Sequence, residues 1–467
     1  MGFARSHGFG DHGFRVRGVA CLVIAGCVVA GCDDGSSASG GRSESSGGSA
    51  SGVGGAASAS GGAPGAGGTP AALGGDGGTG VSGAGEAGRG EVSGTGGVSS
   101  GRFVHPGILV SGELLEFVKG KVATGAEPWK TALARAKADH YASLSYKAAP
   151  VTTVECGPYS KPNIGCDAEV WDATAAYTQA LLWVYTGQVA YAKNAVTILN
   201  AWASTLKGHS NSNAPLQAAW AAEMFPRAAE IIRHTSKVWP PAESARFGKW
   251  LKDVYLPILY NGSTFNGNWE LSMIDAMLNI AVFNDDEATF DHAIGMWRKR
   301  VPAYVYSEAD GALPVAPPGG GISGQAALVK YWQNQATFMD GLCQETCRDL
   351  GHVGLGFASI INAAETARIQ GVDLYGEAKD RLTHSLEFHA RYMNGEAVPG
   401  DLCGGALADG GGVPPTYEIA YNAYANRLGV ALPHLKAFIT QRRPTGTKLQ
   451  MAWETLTHAE SGQAPLP

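Results

Sequence analysis

The chain has 467 residues, 45% of them hydrophobic, and a formal net charge of −6 at neutral pH. That balance argues against a nucleic-acid partner and leaves no broad basic field, so an acidic ligand would have to be held by a few local cations. The length suits one large domain or two closely packed ones, but not over its whole extent. From Gly35 to Gly101, Gly, Ser and Ala alternate with almost no bulky apolar residue. Such a stretch buries too little surface to offset the entropy of ordering it.

At the N-terminus, Arg15 and Arg17 precede an apolar run from Val19 to Ala30. The run is too short to span a bilayer as a mature helix and reads as a targeting segment. It ends in Val29-Ala30-Gly31-Cys32, which looks like a bacterial lipobox with Cys32 as the residue to be lipidated. An ordinary signal peptide cut near the same place is the plainer alternative. The expected organisation is a lipoprotein signal peptide over 1–31, a disordered Gly/Ser/Ala-rich tether over 32–102 and one folded domain over 103–467. The tether would have a root-mean-square reach of roughly 45 Å. The expected location is the periplasm or cell surface, with the lipid as the only membrane attachment and the protein a monomer.

Of the eight cysteines, Cys21 and Cys27 leave with the signal peptide. In an oxidising compartment the later ones are disulfide candidates. Cys156 and Cys166 bracket a Gly/Pro/Asn loop, which favours a local bridge. Cys403 pairs either with Cys343 or with Cys347, leaving one thiol free. No CxxC pair or HExxH motif occurs, so no metal site and no cofactor are expected.

The folded region reads as a succession of amphipathic helices. Leu114, Leu115, Val118 and Val122 recur at helical spacing behind Ser111, a plausible cap. Further helices are predicted over 171–185, 191–206, 214–233, 243–256, 271–283 and 287–299. In the last, Phe290, Ala293, Ile294 and Trp297 fall on one stripe. After a Pro/Gly-rich loop at 313–321, helices are predicted over 352–370, 376–393, 417–427 and 433–442. The only weak strand candidates lie at 301–306 and 326–331. Many antiparallel helices with short loops imply an all-α bundle, solenoid or toroid. No fixed repeat period is visible, which counts against a TPR-type array; an incomplete α/α toroid of helical hairpins is the preferred architecture.

Three segments mix polar, glycine and aromatic residues where a plain core would not need them. In Asn266-Gly267-Asn268-Trp269-Glu270 the plainer reading is a turn and helix cap; the functional one makes the Asn268 amide a donor to a substrate carboxylate, with Trp269 beside it. The second segment is Gln344-Glu345-Thr346-Cys347-Arg348-Asp349-Leu350-Gly351-His352. If helical, it puts Arg348 and His352 one turn apart on one face. Its glycines Gly351, Gly354 and Gly356 each cost roughly 1 kcal/mol relative to Ala in a helix, which suggests a close approach of backbone or ligand. An internal salt bridge from Arg348 to Asp349 or Glu345, with His352 a satisfied core residue, is the competing reading. The third, Glu387 to Tyr392 with His389, is a polar helix face or a binding surface. His209 to Asn213, with Gln217 and Trp220, is a polar loop feeding a helix that suits a sugar subsite. Asp285-Asp286 is the obvious carboxylate pair, but adjacent acids at a helix start usually serve the macrodipole.

From His105-Pro106-Gly107 to Trp453–Ala459 the sequence resembles the alginate lyase family of helical polysaccharide lyases. The resemblance is carried by Asn266–Leu271, by Ile280–Phe283 with Asp285-Asp286, by Gln344–His352 and by Gln370-Gly371-Val372-Asp373-Leu374-Tyr375-Gly376. It implies an α/α toroid whose cleft binds an acidic polysaccharide and cleaves it by β-elimination. The C5 proton of a uronate is weakly acidic because the neighbouring carboxylate is ionised. The enzyme must neutralise that group, remove the proton and protonate O4. On the resemblance, Asn268 and Arg348 neutralise and His352 is the base or carboxylate partner. Trp269, Gln217, Trp220, Gln344, Glu345, His389 and Tyr306 are the expected binding residues. The family's helical lyases set a Tyr acid a few residues beyond the Arg, where this chain has Val353, Leu355 and Phe357. The hydroxyl is therefore assigned to Tyr331, with Tyr304 and Tyr306 as alternatives. An alginate or polymannuronate-type chain is the expected substrate, and glucuronan or another polyuronate the next. A toroidal glycoside hydrolase and a non-catalytic glycan-binding lipoprotein are the readings outside the lyases.

Overall fold

The computed structural model describes residues 101–410 and 417–463. The expected signal segment, Cys32 and nearly all of the tether lie outside them. Among the described residues sixteen α-helices follow one another. The first four are α1 (Gly112–Ala123), α2 (Trp129–Ala138), α3 (Cys166–Thr186) and α4 (Val189–Thr205). Then come α5 (Ala214–Thr235), α6 (Pro241–Trp250), α7 (Leu256–Leu259), α8 (Gly267–Phe283) and α9 (Glu287–Tyr304). A short α10 (Gln325–Tyr331) leads to α11 (Leu350–Ile369), α12 (Leu374–Glu377) and α13 (Lys379–Met393). The last are α14 (Glu418–Tyr421), α15 (Pro433–Arg442) and α16 (Glu454–His458).

These helices make an α/α toroid of hairpins, and the sequence explains the two layers. Every residue of helix α8 is buried, polar Asn268, Glu270, Asp275 and Asn279 included, as for a helix with neighbours on all sides. It packs against α5, α9 and α11, and α5 packs in turn against α3. Outer helices such as α13 bury one stripe only, including Leu382, Leu386 and His389. The interior is mostly Ala, Leu, Ile and aromatic side chains, each full-sized one contributing roughly 1.5–3 kcal/mol on burial. Charged groups are threaded through it: Arg227 on α5 reaches Asp275 on α8 at 2.7 Å and donates to the Gln450 carbonyl at 2.8 Å.

Local chemistry sets the helix ends. Ser111 caps α1 by accepting from Leu114 N at 3.2 Å, and Asp286 caps α9 by accepting from Thr289 N at 3.1 Å. The latter bears out the helix-start reading of the Asp285-Asp286 pair. Both strand candidates are corrected. Residues 301–304 finish α9 and 325–331 form α10, while true strands occur where no alternation signalled them. Among them β1 (Thr153–Cys156) lies between β2 (Asn163–Ile164) and β3 (Gly208–Ser210), antiparallel to the first and parallel to the second. Strands this short carry no legible period. Asn266-Gly267-Asn268 proves to be the N-cap and first turn of α8 rather than a separate turn.

No helix among the described residues is long and apolar enough to cross a membrane. The N-terminal strap is fastened from several sides. Gln370 accepts from Val104 N at 2.8 Å and donates to the Gly107 carbonyl at 3.0 Å, and Arg102, the last residue of the expected tether, pairs with Asp291. Among the described residues there are two disulfides, Cys156–Cys166 and Cys347–Cys403, and one free thiol, buried Cys343. The second closes a 56-residue loop that holds α11 and α13. Replacing Cys347 and Cys403 by serine is expected to cost roughly 2–4 kcal/mol, read as a lower midpoint in denaturant unfolding.

Candidate active site

After α9 the backbone turns extended, and Val305 bridges Cys343. Gln344 N donates to the Tyr304 carbonyl at 2.8 Å and Tyr306 N to the Leu342 carbonyl at 2.8 Å. This pairing lays the segment 344–349 across the N-terminus of α8, where a helix carries unpaired N–H groups and a partial positive charge. The Gln344 amide oxygen accepts from Gly267 N at 3.3 Å, and the Glu345 carboxylate accepts from Asn268 N at 3.3 Å.

Glu345 is fully buried and gathers the site. Beyond Asn268 N it accepts from Asn268 Nδ2 at 2.5 Å, from the Tyr304 hydroxyl at 3.2 Å and from Arg348 Nη1 at 3.2 Å. Asn268 also donates to Asn266 Oδ1 at 2.9 Å and has no exposed surface. Its amide donors are therefore spent within the protein, and Asn266, half-buried, is the amide nearer solvent.

The next turn fixes an imidazole. Asp349 is the N-cap of α11; it accepts from His352 N at 2.7 Å through one oxygen and contacts His352 Nδ1 at 2.6 Å through the other. A carboxylate only accepts, so Nδ1 carries the proton and Nε2 is left as the basic nitrogen. The Asp349 carboxyl feels burial most, which raises it, but the His352 hydrogen bonds and charge with that of Arg348 outweigh this and hold it below the usual carboxylate range. The stability it contributes is thus present above the ordinary carboxylate pKa and is lost only as pH falls through the lower folded value. Arg348, Asp349 and His352 keep 17%, 12% and 11% of their side-chain surface exposed, so this face reaches solvent while Glu345 does not.

Two phenols border the cluster. Tyr304 lies in a cradle of glycines: a Cβ on Gly267 would stand 2.1 Å from its ring and one on Gly356 2.3 Å from its hydroxyl. That accounts for two glycines within helices. Burial first, then the Glu345 charge, pushes the Tyr304 hydroxyl well up. Tyr331 donates to the Phe265 carbonyl at 3.1 Å and accepts from Arg300 Nη1 at 3.4 Å. Burial raises it to about 12 against the lowering pull of Arg300. Arg300 is itself held by Glu270 and by the Ser263 carbonyl. Gln344 Nε2 donates to the Tyr331 carbonyl at 2.5 Å, which joins this group to the first. Phe265, about half exposed, stacks on buried Trp269 with centroids 5.0 Å apart.

Of the residues expected from sequence, Asn268, Trp269, Tyr331, Gln344, Glu345, Arg348 and His352 are thus connected by direct contacts. The others have different surroundings. Gln217 is buried and donates to Glu169 at 2.9 Å and to the Cys166 carbonyl at 2.8 Å. Trp220 is buried on α5. His389 is buried behind the segment, against Thr346 Oγ1 at 2.9 Å and the Ser385 carbonyl at 2.8 Å, and burial lowers it to about 4. Tyr306 donates to the Gly311 carbonyl at 2.7 Å. Sequence reasoning gave no role to Phe265, Glu270 or Arg300. Only Phe265, an aromatic directly before the Asn-Gly-Asn motif, offered a signal.

A toroid of helical hairpins carrying an oriented imidazole, a guanidinium and phenols at one helix start has the makings of a helical polysaccharide lyase. The family model described as alginate lyase matches residues 127–316. Over this segment the chain is similar to the alginate lyase family. The match includes Asn266–Glu270 and stops short of Gln344–His352. Among solved structures, alginate lyase A1-III from Sphingomonas species A1 is similar at 17% identity and a TM-score of 0.50, covering 76% of this chain and 95% of that one. A histidine-to-alanine variant of A1-III complexed with a tetrasaccharide is similar at 19% identity and a TM-score of 0.50, covering 68% and 86%. No curated protein matches the sequence.

Replacing Glu345 by alanine is expected to destabilise the domain by roughly 3–5 kcal/mol, the range for breaking a buried charge pair. Gly356→Ala is expected to cost about 1–3 kcal/mol by overpacking against Tyr304. Thermal or denaturant unfolding measures both, and an unchanged midpoint in either variant would contradict the packing described.

Proposed function

We propose that the site cleaves a polyuronate of the alginate type by metal-independent β-elimination. The observation that carries this reading is the Asp349–His352 contact: it leaves His352 Nε2 as a base on a solvent-reaching face beside Arg348. His352 Nε2 takes the C5 proton. The negative charge that builds on the uronate carboxylate is met by the Arg348 guanidinium and the Asn266 amide, with Asn268 and Glu345 holding both in place. As the C4–O4 bond breaks and C4=C5 forms, the Tyr331 hydroxyl gives its proton to O4 and is reprotonated from solvent. A phenol raised to about 12 is protonated throughout the physiological range, which suits an acid. Phe265 on its Trp269 support offers an apolar face to a sugar ring. The tetrasaccharide bound by the A1-III variant supports an oligosaccharide-sized ligand.

The test is ultraviolet absorbance of the unsaturated product on polymannuronate, polyguluronate, glucuronan and pectate in parallel. A rise on an alginate block that chelator leaves intact is expected; a rise on glucuronan alone would reassign the substrate, and none on any polymer would refute elimination. Asp349→Asn preserves the cap but loses the charge that orients His352, so kcat is expected to fall about 10²-fold or more. Phe265→Ala is expected to raise KM several-fold with kcat and thermal midpoint nearly kept, and Phe265→Trp to restore KM. We infer also, from the sequence ending at Cys32, that the protein is exported and lipid-anchored; metabolic palmitate labelling that survives Cys32→Ala would refute it.

A further inference from the structure

A second constellation lies outside this site, where the N-terminal strap meets the C-terminal turns of α5. His105 Nδ1 is 2.5 Å from Glu230 Oε1, and His105 Nε2 is 3.1 Å from Asp285 Oδ1. Glu230 is wholly buried; its Oε1 also accepts from Gly107 N at 3.2 Å. Its other oxygen, Oε2, accepts no hydrogen bond among the described residues. The group that faces Oε2 is His234 Nε2, one turn further along α5, at 3.6 Å. The two imidazoles stack in parallel, 4.6 Å between centroids.

A ring lone pair and a carboxylate oxygen 2.5 Å apart repel unless a cation lies between them. If the exposed Asp285 accepts the Nε2 proton, His105 Nδ1 is left as that lone pair, aimed at Glu230. This is the arrangement in which an outer carboxylate orients a metal-binding histidine. A doubly protonated His105 would donate to Glu230 and to Asp285, and would still leave buried Oε2 with only the long 3.6 Å approach of His234 Nε2. A divalent ion answers all of them together. We propose that His105, Glu230 and His234 form a binding site for a divalent cation of the zinc class, separate from the polysaccharide site. Two imidazoles and one carboxylate favour such a borderline ion over magnesium or calcium, which take oxygen donors.

The three ligand atoms lie within 4.8 Å of one another. Metal–ligand bonds of about 2.0–2.2 Å set tetrahedral ligand atoms roughly 3.4 Å apart, so His234 must draw in while the 2.5 Å contact between His105 and Glu230 opens. His234 is free to supply that movement, because its side chain is 25% exposed and lines an open groove of about 620 Å³ with Pro106, Leu115, Trp183 and Tyr185. The same groove is an entry path. Bound there, the ion would pin the strap to a helix 125 residues away in sequence, which is why no ligand spacing announces it.

The experiment is a Co²⁺ titration of the chelator-stripped full chain, with Zn²⁺ competition and a thermal-shift series. One Co²⁺ per chain with the intense visible bands of a low-coordinate nitrogen/oxygen site, displaced by Zn²⁺, and a higher thermal midpoint with Zn²⁺, are expected. His234→Ala should weaken binding tenfold or more with an unchanged far-ultraviolet circular dichroism spectrum, whereas His352→Ala should bind as the parent does. Absence of both the bands and the thermal shift in the folded parent would overturn the site. Binding that survives His234→Ala and Glu230→Gln alike would overturn it too, by placing the ion elsewhere.

Discussion

The Glu345 carboxylate, buried at the start of α8, accepts from a backbone N–H, an amide, a phenol and a guanidinium that come from three parts of the chain. Taking a carboxylate out of water costs several kcal/mol unless its lone pairs are answered and opposite charge lies near. Here the helix N-terminus and Arg348 supply the charge, and Asn268 and Tyr304 complete the hydrogen bonds. The consequence reaches beyond Glu345 itself. Because its donors are fixed in space, the segment carrying Arg348, Asp349 and His352 has one place to go, and the imidazole arrives on the exposed side of a cluster whose other side is dry.

Several features that look costly in isolation serve that placement. Gly267 and Gly356 weaken their helices, yet each makes room for Tyr304, which no side chain with a Cβ would allow. The Cys347–Cys403 bridge holds the middle of the segment, and His389, neutral through burial, backs it through Thr346. Arg300 joins Glu270 on α8 to Tyr331 on α10, so the phenol proposed as acid is set by a charge pair rather than by its own short helix. The proposed elimination asks for groups placed to within a fraction of an ångström, and cross-bracing of this kind limits their freedom to move.

The same logic runs through the toroid. Helices α5 and α8 are buried over most of their lengths, yet they carry Arg227, Glu223 and Asp275. Arg227 pairs with Asp275, while burial and the Asp275 charge push Glu223 well up toward its neutral form. A single charge pair with a protonated partner is tolerable in the interior where three independent charges would not be.

Helical periodicity, cap residues and breakers gave nearly every long helix from the sequence alone, since each depends on neighbours within four or five positions. The chemical motifs were legible for a related reason: Arg348, Asp349 and His352 are close in sequence, and an Asp directly before a helix start caps it. Tertiary structure decided what depends on distant partners. It chose Cys347 over Cys343 for Cys403, spent the Asn268 amide on Glu345, and buried Gln217 and His389. It also brought Tyr331 and Phe265 together and set His105 against Glu230 across 125 residues. Local patterns report the cost of bending and capping a chain, which neighbouring residues determine. Which donor meets which acceptor, and on which side of the water boundary, is fixed only when the helices close on one another.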